Sequence, residues 1–98
     1  MLRISIRATS DTDVDAEIEN LRRAARSAGL ETGLIELVVN ETDQVVRDFV
    51  NRGRQLRALG SQLRAERTLQ GNGYDIRVSF ETVQRLSILG RVLAAFGR

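Results

Sequence analysis

The reactive and ionic side chains of this 98-residue chain are carboxylates, hydroxyls, one Tyr and Arg, because it has no His, Cys or Lys. The imidazole base near neutral pH, the thiolate nucleophile, the Schiff-base amine and the imidazole or thiolate metal ligand are therefore absent. A Ser nucleophile would need a carboxylate base and a sharp glycine-flanked turn, and none of the six Ser has that context. The expectation is a protein that is not an enzyme and takes neither a cofactor nor a metal.

Three clusters could still bind something. Asp11-Thr12-Asp13-Val14-Asp15 has the alternating carboxylates that open many calcium loops. Ala16 stands where that loop needs Gly for its sharp bend, and Arg22 where it needs a bidentate Glu, so a solvated acidic helix cap is the preferred reading. Gly71-Asn72-Gly73 could approach a phosphate, but a strand pattern follows it rather than a helix N-terminus, which favours a hairpin turn. The third cluster is basic: Arg52, Arg54, Arg57, Arg64 and Arg67 within sixteen residues.

All fifteen basic residues are Arg. With many Ala and Gly, this reads first as codon usage of a GC-rich bacterial genome, and second as selection for bidentate phosphate or carboxylate recognition. Residues 1–45 carry five Arg against nine acids and residues 46–98 carry ten against four, an acidic front and a basic back. That split suits self-association, and also neutralisation within one chain if the halves pack together. Arg54, Arg57, Arg64 and Arg77 are the candidate residues for a nucleic-acid or polyanion surface. On a sheet face Arg3 and Arg7 would join Arg64 and Arg77, beside Ser5, Ser79, Glu66 and Thr68. Against that reading, Tyr74 and Phe80 fall in the buried phase, whereas sheet readers of single strands stack bases on exposed aromatics.

The elements that must position these groups follow from periodicity. Residues 2–8 alternate apolar and polar, a half-buried strand. A 3.6-residue repeat through Val14, Ile18, Leu21 and Ala25 predicts a helix over 13–28, with Thr12 and Asp15 spaced as a capping box. The apolar, β-branched run 34–39 reads as a second strand, with a helix start as the rival. Asn40 and Asp43 could cap a helix reaching residue 59. Segments 62–70 and 74–80 form a hairpin around the three-residue Gly71-Asn72-Gly73 loop, although Arg67 breaks the alternation of the first arm. A last helix spans 82–96. The order strand-helix-strand-helix-strand-strand-helix predicts one α/β (α+β) domain over 1–98, a two-layer sandwich with helices on one face of a small mixed sheet.

That last helix is unusual. Val83, Leu86, Ile88, Leu89, Val92, Leu93 and Phe96 spread over about 220° of its circumference, against roughly 100° for a one-sided surface helix. It could be the central helix of the layer, flanked by the other two. It could meet a foreign protein or an apolar ligand. The favoured reading is a homodimer, with Ile88, Leu89, Val92 and Phe96 at the centre of the interface and Arg85 and Arg91 at its polar rim. Gly90 and Ala94, with Ser87, would allow close helix approach. The longest apolar stretch is well short of a membrane span and the N-terminus lacks a signal-peptide pattern, so a cytoplasmic protein without a membrane partner is expected.

Overall fold

The computed structural model describes residues 1–82, and the helix expected over 82–96 lies outside them but for Thr82. The described chain runs β1 (Leu2–Thr9), α1 (Val14–Ser27), α2 (Thr32–Ala58), β2 (Arg64–Gly71) and β3 (Tyr74–Glu81). The three strands form one mixed sheet in the order β1-β3-β2, with β1 parallel and β2 antiparallel to β3.

This corrects the expected four-strand, three-helix order. Residues 34–39 are not a strand but the first turns of α2, which is a single 27-residue helix. Read across Asn40, the buried residues Ile35, Val38, Val39, Thr42, Val45, Val46, Val50 and Gly53 keep one helical stripe. All of them are β-branched or Gly, poor helix formers whose propensity is overridden because the stripe is the centre of the core. Asn40 is exposed on the far side and caps nothing, and Asp43 pairs with Arg47 one turn on (2.8 Å). Thr42, fully buried, satisfies its hydroxyl by donating to the Val38 carbonyl oxygen at 2.8 Å.

Two local expectations also shift. Asp13, not Thr12, caps α1, its carboxylate accepting from the Ala16 N–H at 3.2 Å, while the Thr12 hydroxyl turns back to accept from the Thr9 N–H at 2.7 Å. The hairpin loop is Asn72-Gly73 alone, since Gly71 pairs with Tyr74 in the ladder. Gly73 has φ +88 and, among the described residues, no non-glycine residue is left-handed, so the loop has the φ pattern of a type II turn.

The core lies between the sheet and the two helices. Leu2, Ile6 and Ala8 from β1, Tyr74, Ile76, Val78 and Phe80 from β3, and Leu69 from β2 meet the stripes of α1 and α2. Gly53 sets the spacing: a Cβ there would stand 2.1 Å from Cζ of Phe80, so the missing side chain is what lets that ring lie on the backbone of α2. Phe49 packs beside it, ring centroids 6.4 Å apart and tilted 49°. α1 and α2 pack directly on each other, tied by Arg22 to Glu36 (3.6 Å) and by Arg47 to Asp15. The alternative of a last helix flanked by both lies outside the described residues.

Candidate functional site

The acidic turn between β1 and α1 and the basic half of α2 are one unit. Arg47 and Arg54, seven residues apart, lie almost in line along a helix, and Arg57 is one turn further on. Arg54 Nε donates to the Ser10 carbonyl oxygen at 3.0 Å. Arg57 reaches the Ser10 hydroxyl oxygen at 3.4 Å and the Asp11 carboxylate at 3.3 Å. Arg47 holds Asp43 on its own helix and Asp15 at the start of α1. The Arg47 pKa is raised above its ordinary value, first by the hydrogen bond it donates to Asp15 and then by the charge of Asp43. Since Arg is already fully charged at working pH, this makes the contact a clasp rather than a switch.

The Asp-x-Asp-x-Asp segment is thereby accounted for. Asp13 caps a helix, Asp11 and Asp15 pair with Arg57 and Arg47, and no group of three or more candidate metal ligands occurs among the described residues. The acidic front meets the basic back within one chain.

Arg3, Arg7, Arg64 and Arg77 lie on the face of the sheet that no described helix covers. Pairing register arranges that face in four rows: Arg3-Asp75-Gln70, Ser5-Arg77-Thr68, Arg7-Ser79-Glu66 and Thr9-Glu81-Arg64. Arg64 pairs with Glu81 at 3.1 Å and Arg77 with Glu66 at 3.6 Å. Arg3 and Arg7 form no ion pair among the described residues. With four Arg against Asp75, Glu66 and Glu81, the face is close to neutral. A depression of about 610 Å³ at one end is lined by Arg7, Thr9, Arg64, Glu66, Ser79 and Glu81, two charges of each sign. Ala8, Ala65 and Phe80 close its floor, and the outer face itself carries no aromatic residue, since Tyr74 and Phe80 belong to the buried row.

Of the four polyanion candidates, then, Arg64 and Arg77 share the open sheet face while Arg54 and Arg57 grip the β1–α1 turn. The interface candidates Arg85, Ile88, Leu89, Arg91, Val92 and Phe96 lie outside the described residues. Sequence reasoning did not identify the anchoring of Ser10. Its signal was available: a Ser in an acidic turn, and an in-line Arg pair whose one intervening acid, Asp48, is matched by Arg52.

A third surface is the shallow groove of about 550 Å³ between α2 and β2, lined by Val45, Phe49 and Leu69 and edged by Glu41, Asp48, Arg52 and Arg67. Arg67, which broke the strand pattern, stays in β2 and occupies the helix-side row between Ala65 and Leu69.

No protein-family model, curated protein or solved structure matches this chain. Among the described residues, no helix is long and apolar enough to cross a membrane.

Proposed function

We propose that the chain is a non-enzymatic protein-interaction domain that associates with a second copy of itself through residues 83–96. Ile88, Leu89, Val92 and Phe96 form the apolar centre of that contact, with Arg85 and Arg91 at its rim. The reading rests on one observation, the direct packing of α1 on α2. Two helices already in contact with each other offer less cover for a 220° apolar arc within one subunit, which supports the reading. The uncovered sheet face is polar throughout, and the groove between α2 and β2 offers Val45, Phe49 and Leu69 against seven large apolar residues. A second copy supplies the remaining apolar surface at no loss of complementarity, as isologous contacts do. The absence of His, Cys and Lys supports the non-enzymatic part, and a cytoplasmic setting remains our expectation for a Cys-free chain.

Light scattering over a dilution series tests this directly. Wild type is expected above monomer mass, and Leu89→Glu with Val92→Glu is expected to lower it while leaving the far-UV circular dichroism intact. A polyanion role has weaker support, because Arg64 and Arg77 are ion-paired on a near-neutral face and Arg54 and Arg57 hold a turn. It predicts binding to RNA or DNA that falls steeply with salt, and a flat low-salt titration removes it.

A further inference from the structure

The two edges of the sheet are built differently. Strand β2 is protected in the ways edge strands usually are: Arg64, Glu66 and Gln70 on one side and the inward-placed Arg67 on the other, which would put a charge into any sheet continued past it. Strand β1 carries Arg3 and Arg7 on its outer side but has no inward-placed charge. Its helix-side row is Leu2, Ile4, Ile6 and Ala8, without charge or Pro, and among the described residues it pairs with β3 alone.

The hydrogen-bonding phase of that edge is fixed. The Leu2 N–H donates to the Gly73 carbonyl at 2.8 Å, towards β3. A strand residue points its N–H and C=O the same way, and the direction alternates. Leu2, Ile4, Ile6 and Ala8 therefore bond to β3, and Arg3, Ser5 and Arg7 present theirs to the open edge. Thr9 belongs to the outward set, but its N–H is taken by the Thr12 hydroxyl, so the available edge stops there.

From this contrast we infer that β1 is a second self-association surface, on which the β1 strand of another copy pairs antiparallel with Ile4 on the two-fold axis. Charge selects the register. Centring on Ser5 would set Arg3 directly opposite the partner's Arg7, a like-charge pair that destabilises a ladder. Moving the axis to Ile4 sets Arg3 opposite Ser5, Leu2 opposite Ile6 and Arg7 opposite Met1, so that no two arginine side chains face each other. It also brings together the two copies of Ile4, the one member of the helix-side row that is only half-buried. An isologous strand pair makes a six-stranded sheet and removes both β1 edges. The contact uses no residue of 83–98, so it stands apart from the proposed function.

The Cys-free sequence makes the test clean. At a non-hydrogen-bonded antiparallel pair the Cα atoms are about 4.5 Å apart, within disulfide reach. In the Leu89→Glu, Val92→Glu background, Ile4→Cys under mild oxidation is expected to give the covalent dimer as the main species, and Ser5→Cys at least tenfold less. In the same background Ile4→Lys, carrying the device of Arg67 to β1, is expected to halve the mass. If Ile4→Cys stays monomeric, or Ser5→Cys links better, the inference is overturned; an edge reserved for a strand of another protein gives that first result. Because Ile4→Cys is a mild substitution, the crosslinking result decides the matter even if Ile4→Lys fails to fold. If Ile4→Cys links and the Leu89→Glu, Val92→Glu pair leaves the wild-type mass unchanged, it is the proposed role of 83–96 that fails instead.

Discussion

Alternate residues of the same three strands build two sheet faces with opposite tasks. On the helix side, Ile76 and Val78 have no exposed surface and Phe80 is 1% exposed. One position along, Asp75, Arg77 and Ser79 face outward among arginines, carboxylates and hydroxyls. Stability therefore resides in one layer, between sheet and helices, while the outer layer is free to carry whatever surface chemistry the protein uses. Exposed ion pairs such as Arg77 with Glu66 contribute little to folding, since water screens them and two long side chains must be ordered.

Substitutions along β3 should separate the faces. Ile76→Ala leaves a cavity beneath α2, and a loss of about 4 kcal/mol is expected, read as a lower denaturant midpoint at unchanged slope. Gly53→Ala, by forcing a Cβ into the Phe80 ring, should cost about 2 kcal/mol even after the gain in helix propensity. Paired with Phe80→Leu, that cost should shrink, so the two substitutions are expected to be less damaging together than summed by about 1 kcal/mol or more in a double-mutant cycle. Arg54→Ala releases the Ser10 carbonyl and should cost about 1 kcal/mol, with faster amide exchange confined to the β1–α1 turn. Arg77→Ala on the open face should stay within about 0.5 kcal/mol of wild type. A loss there comparable to Ile76→Ala would erase the distinction between the faces, and the open face would have to be covered by something that needs Arg77.

The strands with clean alternation are legible in the sequence: residues 2–8 and 74–80 match β1 and β3 within one residue, as the helix 13–28 matches α1. Each has its period written in side chains that no stronger signal contradicts. The run 34–39 misleads because Val38 and Val39 look like strand residues, and Asn40 like a cap, until the stripe is followed on to Thr42, Val45 and Val46. Six residues hold too little period to separate a buried strand from a buried helix turn. The Arg surface is legible as composition but not as partnership, because whether Arg54 meets solvent or the Ser10 carbonyl depends on how α2 lies over the end of β1. That β1 lacks an inward-placed charge gains meaning only once the strand order puts β1 at an edge.

The proposed association through residues 83–96 is most directly tested by molar mass from light scattering across a hundredfold dilution, for wild type and the Leu89→Glu, Val92→Glu variant. At least twice the 10.9 kDa chain mass is expected at the concentrated end, and a lower mass for the folded variant at the same concentration. A wild-type mass of one chain throughout, or a variant indistinguishable from wild type, would contradict it.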